Sequence, residues 1–300
     1  MRLMLVISSL ARGGAERVIS ALASAWAKQG FEVTLVIFDD KEPRAYPIDA
    51  RVTVHALKVS NATSRNFLEA LNRTLRRVFL LRRIIRKSRP EIVISFLSVP
   101  NIVTILATRG LGIPVIVSER ANPRLDKVKR FWGPLRRLVY PAADAIVCQT
   151  NAMVNLLQEM VKVPARAIPN PVEVPQSADF ARRAEEPEPR TIIAMGRLVP
   201  QKGFDMLLNA FSQIASKHPE WCIKVLGEGP DKEKLEVQAK SLRLEGRVTF
   251  VGAVDDPFSV MPGARSFRRS WLLFFSFCER AGFDSRFFCF GPRDKLPSTT

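Results

Sequence analysis

Unbroken apolar runs of strand length recur along the first half of the chain, at residues 3–8, 33–38, 52–57, 92–96, 115–118 and 145–149. Amphipathic stretches with helical spacing separate several of them. Strands that are apolar on both sides and alternate with helices predict βαβ units, with a parallel sheet covered on both faces. The pattern lapses at residues 177–190, which are rich in Pro and charge and poor in apolar side chains, as a linker would be. A second series then opens, with strands at 191–195, 222–226 and 248–251 and helices near 205–216 and 231–242. Two Rossmann-like domains are expected, with ligands outside the carboxyl ends of their strands.

The strand at 191–195 runs directly into Gly196-Arg197-Leu198-Val199-Pro200-Gln201-Lys202-Gly203-Phe204 and then into a helix. A turn of this kind exposes backbone N–H groups at the positive end of the helix. Arg197 and Lys202, five residues apart, are placed to close around a diphosphate. One glycine lets the backbone turn and the other lets it approach a ligand. The bland alternative is an ordinary strand-to-helix loop with two solvated cations.

Length and charge narrow the field. Three hundred residues exceed the size of one growing core, which agrees with two domains. A formal net charge of +17 calls for an anionic partner: nucleic acid, an anionic membrane surface or a phosphorylated substrate. No helix-turn-helix, zinc-finger or aromatic RNA-binding pattern accompanies the charge, so nucleic acid is not expected. Cys148, Cys222, Cys278 and Cys289 are scattered and have no metal-ligand spacing, so free thiols and no metal site are expected. No apolar run reaches the ~18–20 residues that span a bilayer. Residues 3–10 lead into Gly13 and Gly14 and a helix rather than a signal-peptide cleavage site.

The charge concentrates on residues 66–89, a helix pattern in which Phe67, Leu68, Leu71, Leu75, Val78, Phe79 and Ile85 recur at helical spacing. Arg73, Arg76, Arg77, Arg82, Arg83, Arg86 and Lys87 are among its cations, and Glu69 is the single acid. Such crowding costs stability unless an anion relieves it, and anionic headgroups attract such a segment. A solvated basic face on a core-packed helix is the alternative.

The 196–204 turn resembles the core signature of the retaining family 4 glycosyltransferases, which have the GT-B fold. Three further stretches are similar to that family: Gly13-Gly14-Ala15-Glu16-Arg17 after the first strand, Ile168-Pro169-Asn170-Pro171-Val172 at the crossover between domains, and Val225-Leu226-Gly227-Glu228-Gly229-Pro230. The resemblance covers residues 1 to about 262. It implies an α/β GT-B fold with two Rossmann-like domains facing a cleft: residues 1–172 on the acceptor side, a linker at 173–190, and a partial nucleotide-sugar domain at 191–264. By the same resemblance Arg197, Lys202, Gly13 and Gly14 hold the donor diphosphate, while Gly196, Gly227, Glu228, Gly229 and Pro230 face the nucleotide. Glu16 and Arg17 also read simply as first-turn residues of a helix. The implied donor is a UDP-sugar carrying an N-acetylhexosamine or hexose, with no cofactor and no metal required. The implied acceptor is a polyprenyl-diphosphate-linked glycan in bacterial polysaccharide, lipopolysaccharide or glycoprotein assembly. The basic helix is implied to meet the membrane and the acceptor phosphate, giving a cytoplasmic protein peripheral on the inner membrane.

Two departures stand out. Many members of that family have His where this chain has Arg120, after Ser118-Glu119. Arginine stays protonated, so Arg120 offers donors to phosphate or sugar oxygens and no general acid or base is assigned. After Ala264 the alternation stops, and residues 265–300 form a basic, Phe-rich tail without strand or helix periodicity. The acidic pair eight apart that holds the donor sugar in the family is absent, since Phe287 stands eight beyond Glu279. The tail reads as a disrupted gene end, and a catalytically inactive remnant binding anionic lipid or nucleotide is the competing reading.

Overall fold

The computed structural model describes residues 1–60, 67–121, 132–171 and 190–254, together with the backbone of Trp271–Leu273. Contacts divide the chain into two compact units, Met1–Val172 and Glu173–Thr300.

The first unit alternates strands and helices: β1 (Arg2–Ile7), α1 (Gly14–Lys28), β2 (Glu32–Ile37), β3 (Thr53–Ala56), α2 (Phe67–Ser88), β4 (Ile92–Phe96), α3 (Ser98–Thr108), β5 (Val115–Ser118), α4 (Trp132–Val139), β6 (Ala145–Cys148), α5 (Asn151–Met160) and β7 (Ala165–Ala167). The strands form one parallel sheet in the order β3-β2-β1-β4-β5-β6-β7. Their continuous apolar runs follow from burial on both faces. Along β1, Leu5 and Ile7 join the cluster of Val18 and Ile19 on α1, whereas Met4 and Val6 join that of Leu81 and Ile85 on α2. The strand order reverses between β1 and β4, and the loops above that point are where a doubly wound sheet takes its ligands.

The second unit contains β8 (Arg190–Met195), α6 (Phe204–Ala215), β9 (Trp221–Leu226), α7 (Lys232–Ser241), β10 (Val248–Gly252) and β11 (Trp271–Leu273). Its parallel sheet runs β10-β9-β8-β11, so the loop after β8 opens where the order reverses. Leu198, Phe204, Leu208 and Phe211 pack on Ile223 and Val225 to form its core.

Two sequence expectations need correction. The expected linker reaches residue 190, but Arg190 pairs with Trp221 as the first residue of β8. The tail was expected to hold no strand, yet Trp271–Leu273 pairs in parallel with residues 192–194. The expected acidic position Glu279, and Phe287, lie outside the described residues.

Candidate active site

In the second unit the turn after β8 is closed by a short 3-10 turn at Pro200–Lys202 and by Gly203, whose φ of 65° is left-handed. That conformation is costly for any side chain and free for glycine, so Gly203 is what lets α6 start here. Arg197 is exposed and Lys202 half-buried. The Lys202 stem lies over Gly196, its Cδ 3.7 Å from where a Cβ at Gly196 would sit. The next loop packs directly against this turn: the Leu198 N–H donates to the Glu228 carbonyl at 2.9 Å, and the Asp231 N–H to the Leu198 carbonyl at 3.2 Å. A Cβ at Gly227 would stand 2.0 Å from the Gly196 carbonyl oxygen, and one at Gly229 2.2 Å from that of Leu198. Gly227 and Gly229 therefore bring two backbones together, while Glu228 and Pro230 are exposed.

In the first unit the strand ends beside the reversal point carry a buried polar network. Glu119 follows β5 and is 0% exposed, and Arg136 on α4 is 2% exposed. Their Oε2 and Nε are 3.4 Å apart. Tyr140 Oη donates to Glu119 Oε2 at 2.7 Å and Ser98 Oγ to Glu119 Oε1 at 3.0 Å. Arg136 Nη2 donates to Ser98 Oγ at 2.6 Å, and Asn101 Nδ2 to Tyr140 Oη at 3.0 Å and to the Ser118 carbonyl at 3.2 Å. Burial, and then the Glu119 charge, push the Tyr140 phenol well above its ordinary pKa. Leu97, between β4 and α3, has a φ of 77°, an unusual conformation for a bulky residue. Its N–H donates to the Ser118 carbonyl at 3.1 Å, and its own carbonyl accepts from the Asn101 N–H at 2.9 Å.

Arg120 comes next and is half-buried. Its Nε donates to Ser118 Oγ at 2.8 Å, its Nη1 to Asn170 Oδ1, and its guanidinium lies over the Phe96 ring at 4.6 Å. Burial pulls its pKa down, offset in part by Cys148. Burial also raises the neighbouring Cys148 thiol to about 11, helped by the Glu119 charge.

The first glycine loop begins α1 with Gly13 as N-cap. Gly14 has open space around it, but a Cβ at Gly13 would meet Glu16 Oε2 at 2.1 Å. The Glu16 pKa is raised chiefly by burial, against a smaller lowering by its own backbone N–H, and further by Glu42. Among the described residues no group of three or more His, Cys, Asp or Glu is placed to hold a metal ion.

Residues 12–175 match the model of Glycosyltransferase Family 4, and residues 175–264 that of Glycosyl transferases group 1. The chain belongs to glycosyltransferase family 4. A transferase of Campylobacter jejuni, GalNAc-alpha-(1->4)-GalNAc-alpha-(1->3)-diNAcBac-PP-undecaprenol alpha-1,4-N-acetyl-D-galactosaminyltransferase, is 29% identical over 85% of this chain and 69% of its own. The sucrose-phosphate synthase of Thermosynechococcus elongatus superposes with a TM-score of 0.69 at 17% identity, over 85% of this chain and 71% of that one. Anabaena HepE, solved with UDP and glucose, gives 0.60 at 16%, over 84% and 69%. The fold is therefore that of the GT-B glycosyltransferases. This transferase spans about two thirds of the length of the curated relatives it matches. The group 1 match ends at residue 264, where the sequence pattern changes.

The basic helix of the transferase is less uniform than its sequence. Arg77 is buried, with Nη2 donating to the Ser60 carbonyl at 2.6 Å and its guanidinium 5.2 Å from the Phe38 ring. Arg82 donates to the carbonyls of Ala107 and Arg109, each at 2.8 Å, closing the end of α3. Arg73 pairs with Glu69. Arg77 and Arg82 are thus turned to structural work and leave the expected lipid-facing set. Arg76, Arg83, Arg86 and Lys87 are exposed. Leu68, Leu75 and Phe79, read from spacing alone as part of the apolar stripe, form an exposed ridge, with Leu75 at 58% and Phe79 at 67%.

Proposed function

We propose that the chain transfers a sugar, an N-acetylhexosamine or hexose, from a UDP-sugar to a polyprenyl-diphosphate-linked glycan with retention of configuration. The reading rests on the turn after β8, which presents Arg197 and Lys202 at the start of α6. In the reaction the C1–O bond to the diphosphate breaks, a C1–O bond to an acceptor hydroxyl forms, and the hydroxyl proton and nucleoside diphosphate leave. Negative charge grows on the β-phosphate as the first bond breaks. Two cations and the helix N-terminus stabilise that charge more than the ground state, which is the condition for catalysis. HepE binding UDP and the undecaprenol-linked substrate named for the Campylobacter relative support the two substrate classes.

The exposed ridge of α2 supports a place on the inner face of a bacterial membrane. Apolar side chains flanked by cations are how a helix lies in a lipid interface. Arg76, Arg83, Arg86 and Lys87 together would contribute about 4 kcal/mol, at roughly 1 kcal/mol each. No described helix is long and apolar enough to cross a membrane. The experiment is transfer from radiolabelled UDP-N-acetylhexosamine to a polyprenyl-diphosphate glycan in anionic vesicles. A labelled lipid product supports the reading. Vesicle and UDP binding without product in any UDP-sugar would favour the inactive remnant, the second reading, which the end of the group 1 match at residue 264 keeps in view.

A further inference from the structure

We propose that Arg120 is an anion-binding residue of the first unit, taking a phosphate oxygen of a diphosphate substrate. The inference rests on the diphosphate chemistry proposed above, and its argument is one of charge, geometry and place.

Arg120 has three partners among the described residues, and all are neutral: Ser118 Oγ, Asn170 Oδ1 and the Phe96 ring. The carboxylate next to it in sequence is already committed, since Glu119 is engaged by Arg136, Tyr140 and Ser98. A half-buried guanidinium without a counter-charge is an unfavourable arrangement unless an anion completes it. Its Nη2 donates to no described group, so two N–H bonds stand ready beside the Nη1 that Asn170 holds. A planar fork fixed by stacking and two hydrogen bonds loses little further freedom when it grips a phosphate.

The guanidinium leans from the end of β5 onto Phe96 at the end of β4. Phe96 in turn belongs to the cluster of Ile7, Leu10 and Val18, which underlies the loop from β1 to α1. Arg120 therefore reaches toward the reversal point between β1 and β4, where such a sheet takes its ligand.

A nucleoside diphosphate donor and a polyprenyl diphosphate acceptor share this chemistry. Calorimetric titration of the full chain with UDP and, separately, with farnesyl diphosphate distinguishes them. Arg120→Gln removes the charge. Asn170→Asp keeps every neighbour in place and neutralises the guanidinium, so it serves even if Arg120→Gln folds poorly. Both variants are expected to weaken the same probe by about tenfold to a hundredfold, the worth of a charge-assisted pair. A loss for UDP assigns Arg120 to the donor, and a loss for farnesyl diphosphate assigns it to the acceptor. A wild-type chain that binds neither probe, or Asn170→Asp protein that binds both within about twofold of wild type, overturns the proposal. Arg197→Ala with Lys202→Ala, titrated alongside with UDP, reports on the donor site independently: unchanged UDP affinity there would count against the proposed function and leave the Arg120 result standing.

Discussion

The Glu119–Arg136 pair should behave as a coupled unit whose single loss is far more damaging than its joint replacement. Both side chains are withdrawn from water, at 0% and 2% exposure. Arg136→Met takes the opposite charge from a buried carboxylate to which Tyr140 and Ser98 donate, and Glu119→Leu takes it from a buried guanidinium that also contacts Ser98 Oγ and the Tyr140 ring. Breaking a buried pair in this way costs about 3–5 kcal/mol, whereas replacing both members with apolar groups is often neutral or favourable. A domain of this size holds about 5–15 kcal/mol in all, so either single change removes a large share of it. The assay is amide hydrogen exchange on peptides covering β4, α3 and β5, read by mass spectrometry, because a two-unit chain does not unfold as one step. Each single variant should speed exchange of the slowest amides by about two to four orders of magnitude, and the double variant should recover most of that loss. Single effects that simply add in the double variant would refute the coupling.

The phenol of Tyr140 should make the first unit sensitive to alkali. Its pKa is raised in the folded state, so below about pH 10 it is protonated in both states and contributes its full stabilisation. Above that pH the unfolded chain releases the proton first and stability falls; Tyr140→Phe should flatten this slope in urea midpoints measured from pH 9 to 11. In the second unit Gly227→Ala, at a φ of 141° and 2.0 Å from the Gly196 carbonyl oxygen, should cost about 1–3 kcal/mol and lower the melting temperature. Gly196→Ala, whose Cβ meets nothing closer than 3.6 Å, should leave it unchanged, so a loss of UDP binding in that variant would report on the ligand rather than the fold. Replacing exposed Leu75 and Phe79 on α2 together by Asp should abolish flotation with anionic vesicles and leave hydrogen exchange of the core untouched.

Much of the fold is legible in the sequence because a parallel sheet buried on both faces writes its strands as unbroken apolar runs. The segments at 92–96 and 115–118 coincide with β4 and β5, and the others differ at their ends by a residue or so. β7 escaped because three residues, Ala165–Ala167, carry too little apolar pattern to register. The cations of α2 were visible as a set but not as individuals. A guanidinium can stack on Phe38 or close a neighbouring helix as readily as face lipid, and the choice between them is made by tertiary contacts. The network around Glu119 was invisible for a related reason: Ser98, Asn101, Glu119, Arg136 and Tyr140 share no period and meet only when α3 and α4 pack. One signal was available, since Arg136 stands on the inward stripe with Leu135, Val139 and Tyr140, where a charge needs a buried partner.

The most direct test of the donor site is the affinity of the full chain for UDP, measured by calorimetry on wild type and on Arg197→Ala with Lys202→Ala. Two charge-assisted contacts contribute about 3 kcal/mol or more together, so the double variant should bind at least a hundredfold more weakly with its melting temperature unchanged. Equal affinity in the two proteins would contradict the assignment of the turn after β8 to the donor diphosphate.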